Sequence, residues 1–407
     1  MSSLQHIDSE ERLIKAIQEA VDLHRSGDLA AAESSYRRVL DVLPGSWQIL
    51  YNIGLVLHES GRLDEAIATY HQALDCGGDD HDLYFNLAHA HKQQGHLDAA
   101  IDLYRTALAG MPSSTDASYN LAGCYLAKGK YEPARQLYRE ILQTNPDHLS
   151  ALNNLAYLEH RTDNVDVALG YYRKLLALSP EHAAADYMVA VLTGAERSSA
   201  PASYVEEMFD RYADHYEESL VSELSYSVPD QLFQLRCKRC GQSRVAAVLD
   251  LGCGTGLSGI RFGEIADCLH GVDLSRNMLA EAARKKCYDT LYHAAIESFL
   301  QSSETRAYDL IIAADVFAYI GDVRQVFALS RKKTVDGGWL FFSVEELRES
   351  DCSMRLGPTG RFAHGDRCIR ELAVETGWLV ATSEKVLLRQ EKGEWVQGVI
   401  YGLQNLN

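Results

Sequence analysis

One interval governs the first half of this chain. Ala32, Ala66, Ala100, Ala134 and Ala168 stand 34 residues apart. Tyr36, Tyr70, Tyr104, Tyr138 and Tyr172 keep the same step, as do Ala20, Gly54, Ala88, Ala122 and Ala156. Pro44, Pro112, Pro146 and Pro180 share a phase, with Gly78 in the missing slot. Gly27, Gly61, Gly95 and Gly129 share another, and Asp163 takes the fifth place. A fixed period of this length means stacked copies of one unit, which an ordinary helical bundle would not produce. The stretch LYNIGLVLHESGRLDEAIATYHQAL reads as two helical patterns broken at Gly61. Small residues on both helices let them approach, the tyrosines pack between units, and Pro or Gly ends each copy. Five such copies stack into a right-handed helical solenoid.

This pattern resembles the tetratricopeptide repeat over about residues 13–180. A second register bears on function. Asn52, Asn86, Asn120 and Asn154 fall at one position, with Gln18 in the first copy. Asn is a mediocre helix former, so propensity does not explain it. Its amide donates and accepts at once, which suits a peptide backbone. In superhelices of this family such an asparagine ladder lines the concave groove and holds extended peptides. The resemblance carries that role onto the four Asn, and Tyr51, Phe85 and Tyr119 precede three of them. The alternative, amides bonded to neighbouring helices, stays open. The expected partner is a peptide or protein. His81, His89, His91 and His96 cluster in the third copy. His89 and His91 are two apart on a helix and face different ways. No i, i+4 pair completes a site, so no metal is expected and these histidines read as surface or groove residues.

The chain has 407 residues, 46% hydrophobic and 24% charged, with room for two or three domains. Both halves are acidic: residues 1–200 hold 16 basic against 27 acidic side chains, the remainder 23 against 30. Neither has the basic excess that nucleic acid or an anionic membrane demands. No basic segment followed by an apolar stretch opens the chain, and no apolar run is long enough to span a membrane. The nine Cys are scattered, which fits cytoplasmic thiols better than a disulfide framework. Cys237 and Cys240 form a lone pair with no second pair for zinc, and read as structural. Oligomeric state is open. EHAAADYMVAVLTG reads as a helix capping the array, so the repeat domain is drawn as residues 1–195. GAERSSAPAS is the turn-rich boundary, with the linker at 196–203 and a second domain at 204–407 that opens on at least two helices.

The second domain changes period. VAAVLDLGCGTGLSG is an apolar strand, a glycine turn and a helix. The turn is Gly252, Gly254, Gly256, and Leu257 stands where a dinucleotide fingerprint has its third glycine. Asp250 ends the first strand. LHGVDLS is a second strand ending in Asp273, placed to accept from ribose hydroxyls. The pair indicates a nucleoside cofactor, and the glycine spacing favours S-adenosylmethionine over NAD. A weak strand at 291–296, YDLIIAADVFAYI ending near Asp315, DGGWLFFSVEE, and a closing antiparallel hairpin complete an α/β doubly wound sheet.

The order VLDLGCGTG, GVDLS, YDLIIAADVF, GGWLFFSVEE resembles the Rossmann-like class I S-adenosylmethionine-dependent methyltransferases over about residues 204–405. FDRYADHYEESL, GVDLSRNML, AADVFAYIGD, FSVEE and GRFAH are similar to bacterial methyltransferases that carry tetratricopeptide repeats, a group related to the Williams-Beuren-region methyltransferase. The resemblance implies the class I sheet order with its last strand antiparallel. It also implies S-adenosylmethionine as donor and S-adenosylhomocysteine as product. It places Asp250, Gly252, Cys253 and Gly254 at the amino-acid end of the cofactor. Asp273 and Leu274 fall at the ribose, Met278 along the adenine, Asp315 beside the methyl-donor pocket, and Tyr212 on a cap above it. Ala295 and Ile296 stand where an Asp often bonds the adenine amino group; Ala295 departs from that pattern. Should the methyl acceptor arrive protonated, a base is needed, and Glu345 and His364, the latter in the GRFAH loop, are the candidates. Arg361 is placed to hold a substrate anion and Tyr319 to line the same pocket. A small-molecule acceptor, with the repeats serving assembly, and a scaffold with a vestigial methyltransferase fold remain as alternatives.

Overall fold

The computed structural model describes residues 2–212, 224–303, 306–347, 354–391 and 393–406. The chain divides into two compact units, Met1–Leu178 and Ser179–Asn407. The first consists of helix pairs: α1 (Ser2–Arg25) with α2 (Leu29–Val42), α3 (Trp47–Glu59) with α4 (Leu63–Asp75), α5 (His81–Gln93) with α6 (Leu97–Gly110), α7 (Thr115–Ala127) with α8 (Tyr131–Thr144), and α9 (Leu149–Arg161) with α10 (Val165–Leu178). The turn inside each pair needs a left-handed residue. Gly61 supplies it at φ 75, and Asp163 supplies it in the fifth pair at φ 60, a conformation Asp tolerates better than most residues. The side chains of Ser46, Ser114 and His148 cap the helices that open repeats two, four and five. The periodic alanines 32, 66, 100, 134 and 168 are wholly buried, and the periodic tyrosines are no more than 2% exposed. Repeat identity is therefore packing identity: one small and one large side chain per step build the shared core.

The second unit begins with α11 (Ala183–Thr193), α12 (Ala202–Tyr212) and α13 (Val228–Cys240). Then follow β1 (Val248–Leu251), α14 (Leu257–Phe262), β2 (Leu269–Asp273), α15 (Arg276–Arg284), β3 (Thr290–His293), α16 (Ile296–Gln301), β4 (Tyr308–Ala313), α17 (Arg324–Lys333) and β5 (Thr334–Glu346). A hairpin of β6 (Met354–Leu356) and β7 (Phe362–His364) precedes α18 (Asp366–Glu375), β8 (Leu379–Glu391) and β9 (Glu394–Gln404). Strands β3, β2, β1, β4 and β5 run parallel in that order, and β9 joins β5 antiparallel with β8 outside it. This is a doubly wound sheet. Alternate residues serve opposite faces. Leu249, Ile311 and Phe342 pack with Phe299, Phe327 and Ile369 from α16, α17 and α18. Val248, Ile312 and Phe341 pack with Leu232 and Phe262 from α13 and α14.

The division between units falls earlier than the turn-rich segment suggests. Helix α11 is tied into the second unit, because Tyr187 donates its hydroxyl to Gly360 O at 2.9 Å and sets its ring 5.0 Å from that of Tyr204. The small-residue stretch is held as well. Ser199 bridges to Ile320, Ala200 N donates to Tyr319 O at 2.9 Å, and Asp322 N donates to Ser198 O at 2.8 Å. Small polar residues leave a backbone free to pair, and here a neighbouring turn takes it.

Candidate active site

The C-terminal ends of β1, β2, β4 and β5 converge, as doubly wound sheets bring ligands to one edge. Leaving β1, the chain turns through Gly252, Gly254 and Gly256, all at positive φ. A Cβ on Gly252 would stand 2.7 Å from Val316 Cγ2, so only glycine fits. A Cβ on Gly254 would meet nothing within 4 Å, so the loop is open on that side. Cys253 is buried and its N–H donates to Val272 O, which ties the loop to β2.

Asp273 closes this loop from β2. Its Oδ2 accepts from Gly254 N at 2.8 Å and its Oδ1 from Ser275 N at 2.9 Å. Burial pushes its carboxyl above the usual range, and the N–H groups of Ser275, Gly254 and Leu274 oppose that. Asp250 is 1% exposed and accepts from the Tyr288 hydroxyl at 2.7 Å. Its other oxygen, Oδ1, is buried without a partner, as is Thr255 Oγ1. Burial drives the Asp250 carboxyl up to about 7; the Tyr288 hydrogen bond pulls it down and the Asp273 charge adds to the rise.

Of the other expected cofactor residues, Leu274, Met278, Ala295 and Ile296 lie between the end of β2 and the start of α16. Leu274 O accepts from His293 Nε2 at 2.8 Å. Ser275 caps α15, and Met278 is 1% exposed beneath it. Ala295 is the N-cap of α16 and has no side-chain cap bond, and Ile296 behind it is buried. Tyr212 ends α12, and its side chain lies outside the described residues. Helix α12 still reaches the site through Asp210. That carboxylate accepts from the Ser275 hydroxyl, and Asp210 O accepts from Asn277 Nδ2 at 3.1 Å.

Asp315 stands at φ 60 just past β4, a left-handed conformation that costs a non-glycine residue on the order of 1 kcal/mol. Two side chains hold it there. Its N–H donates to Ser343 Oγ at 2.8 Å, and its carboxylate accepts from Arg389 Nη1 at 3.1 and 3.2 Å. Arg389 is 1% exposed and also donates to Glu345 and Glu391. Arg361 joins this network. It donates to Glu391 at 2.8 Å and to the Tyr319 hydroxyl at 3.1 Å, and it stands 3.8 Å from Glu345. Three of the four expected substrate-side residues, Glu345, Arg361 and Tyr319, thus meet in one cluster with Asp315. Burial raises the Glu345 carboxyl above its usual value, and the charges of Arg389 and Arg361 oppose the rise.

His364 is different. It lies on β7 rather than in a loop, it is 1% exposed, and its Nε2 donates to Ile320 O at 3.1 Å and Gly321 O at 2.9 Å. Its Nδ1 is buried and unpartnered, and burial lowers its pKa. Its Nε2–H, donated to two carbonyls, fixes the turn that follows Tyr319.

Arg389, Tyr288, Ser343, Glu391 and Asp210 escaped sequence reasoning. Arg389 left one trace: an Arg inside the apolar run VLLRQ must find carboxylates if that strand is covered on both faces. Asp210 and Ser343 lie inside the stretches FDRYADHYEESL and FSVEE, where nothing singles them out, and Tyr288 and Glu391 carry no motif.

In the repeat unit, the ladder amides are mostly engaged. Asn86 Nδ2 donates to Tyr51 Oη at 2.9 Å and to Asp82 O. Asn154 is 9% exposed and donates to the hydroxyls of Tyr119 and Tyr138 at 3.0 and 3.1 Å. Asn120 accepts from Lys92 Nζ at 2.8 Å, and burial lowers the Lys92 pKa. Asn52 has no side-chain hydrogen bond among the described residues. Phe85 packs edge-on to Tyr104 at 5.6 Å.

Profiles of the tetratricopeptide repeat match residues 48–113, 91–156 and 130–183, and a methyltransferase-domain profile matches residues 249–340. The chain therefore carries a tetratricopeptide-repeat array followed by a methyltransferase domain. A Geobacillus sp. (strain WCH70) protein named as a methyltransferase is 29% identical over 151 residues, 35% of this chain and 60% of that protein. The ubiquinone biosynthesis O-methyltransferase of Hydrogenovibrio crunogenus is 29% identical over 102 residues, 24% of this chain and 42% of that protein. This chain thus spans 42–60% of the length of these relatives. The N-methyltransferase NodS of Bradyrhizobium japonicum WM9, solved with S-adenosyl-L-homocysteine, overlaps 44% of this chain and 86% of its own at 20% identity and a TM-score of 0.35. Among the described residues, no helix is long and apolar enough to cross a membrane.

Proposed function

We propose that the second unit transfers a methyl group from S-adenosylmethionine and that the repeat array recruits the polypeptide that accepts it. The observation that carries the donor half is the glycine loop closed by Asp273, beside two buried oxygens that lack partners. Asp250 Oδ1 can accept from the ammonium and Thr255 Oγ1 can donate to the carboxylate of this cofactor's amino-acid tail, and the open side of Gly254 leaves room for it. Asp273 keeps lone pairs for ribose hydroxyls after accepting two backbone bonds. The cofactor, when bound, supplies an activated methyl on a sulfonium.

The chain's own residues then need chiefly to position the acceptor, because in-line geometry provides much of the rate. Asp315, held by Ser343 and Arg389, borders the donor pocket. Tyr319 and Arg361 present a hydroxyl and a guanidinium beside it, and Glu345 is the carboxylate available should the acceptor carry a proton. A second reading, a small-molecule acceptor with the repeats used for assembly, draws support from Asn86 and Asn154, whose amides are spent on tyrosines.

Calorimetric titration of S-adenosylmethionine and S-adenosylhomocysteine into the full chain tests the donor half. Micromolar binding that Asp273→Ala abolishes is the expected result. A folded protein that binds neither ligand overturns the reading and leaves a repeat scaffold. Methyl incorporation into a polypeptide, cut by Asn52→Ala, then separates the first reading from the second.

A further inference from the structure

The repeat unit holds a histidine cluster that methyl transfer does not use. His91 lies in the last turn of α5 and His96 is the N-cap residue of α6. Gly95, at φ 77, folds one back on the other. Their Nδ1 atoms are 3.4 Å apart and their ring centroids 5.6 Å apart. His71, on α4 of the preceding repeat, sets its ring edge-on to His91 at 6.0 Å. Two imidazole nitrogens on one tetrahedral ion, each at a bond length of about 2.0–2.1 Å, stand about 3.3–3.4 Å apart. The observed separation already matches that bite.

We propose that His91 and His96, with His71 as third ligand, form a site for a divalent transition metal, zinc foremost. Imidazole donors select ions of this class over calcium and magnesium. His71 is exposed and its ring nitrogens do not converge with the pair as it stands, so completing the site requires its ring to turn toward His91 and His96. A fourth position stays open to water. The bound ion would tie the second repeat to the third. Sequence spacing hides the site, because its pair is five residues apart across a helix end and its third ligand belongs to another repeat.

The test uses untagged full-length protein stripped with a chelator. Zinc is titrated by calorimetry and cobalt by visible absorption. The expected result is one equivalent bound at micromolar affinity, with the intense visible band of tetrahedral cobalt. His96→Ala should weaken binding about tenfold or more and remove the band, since even outer-shell changes at metal sites cost 10–100-fold. His96 makes no side-chain capping bond, so this variant keeps its fold. His91→Ala should do the same. His81→Ala, in the separate Asp80–His81–Asp82 group, should leave binding unchanged. Absence of micromolar zinc binding overturns the proposal and reduces the pair to an N–H···N hydrogen bond. Binding that survives His96→Ala and His91→Ala, or cobalt absorption of thiolate type, overturns it as well.

Discussion

Asp250 shows how one buried carboxyl ties stability to pH. In the unfolded chain an Asp loses its proton near pH 4. In the folded protein burial holds the carboxyl at about 7. Between those values the folded state binds more protons than the unfolded one. Stability therefore falls as pH rises through this window and levels off above 7. Asp250→Asn removes the titration. Its stability relative to wild type should improve from pH 4 to pH 8, by on the order of a few kcal/mol at most. Urea unfolding followed by tryptophan fluorescence reads this, because Trp339, Trp378 and Trp395 lie in the second unit and only Trp47 in the first. A pH-independent difference would show Asp250 ionised throughout. His364 has the opposite sign: burial lowers its pKa, so it destabilises the fold as pH falls below about 6.5. The sequence announced Asp250, Gly254 and Asp273 because a strand–glycine–strand motif fixes their places. It announced neither the Tyr288 bond nor the burial of His364, since both depend on which distant turn packs against the side chain.

The repeat element makes the same tyrosine do different work at successive steps. Tyr70, Tyr104 and Tyr138 are all fully buried. The hydroxyls of Tyr70 and Tyr104 have no partner, whereas Tyr138 accepts from Asn154. A buried unpaired hydroxyl costs about 1–3 kcal/mol, and its removal recovers part of that. Tyr70→Phe and Tyr104→Phe should therefore be neutral or stabilising, by up to about 1 kcal/mol. Tyr138→Phe should destabilise by about 1 kcal/mol, since the Asn154 amide loses one of its two acceptors. Urea midpoints of the array, read by far-ultraviolet circular dichroism, decide it; equal effects at the three sites would refute the distinction. The 34-residue step made the helices legible but not the hydroxyl partners, because period reports packing and a hydrogen bond depends on one local neighbour. The strands tell a similar story. Long apolar runs revealed β1, β2, β4 and β5, while the three-residue strands β6 and β7 are too short for any period. Arg389 was the remaining signal on β8, and its three carboxylate partners come from the ends of β4 and β5 and from the end of β8 itself.

At the scale of the whole chain, the end of the repeat period made two units legible. Their boundary was not, because α11 is held by a bond between Tyr187 and Gly360, 173 residues apart. Each unit has its own buried clusters. Every residue assigned to the donor site lies within Ser179–Asn407. A ligand that binds only the folded form of that unit stabilises it by about 2.7 kcal/mol at a hundredfold excess over its dissociation constant. For a unit of this size that is a rise of roughly 5–10 °C in its midpoint. S-adenosylhomocysteine should thus move the transition seen by tryptophan fluorescence and leave the unfolding of the array where it was. Scanning calorimetry with both probes resolves the two. An equal shift of both transitions would mean that ligand binding is felt across the boundary, and the array would then belong to the catalytic unit energetically as well as covalently. A shift confined to the second unit would mean that the ligand stabilises that unit alone and that the array unfolds independently of it.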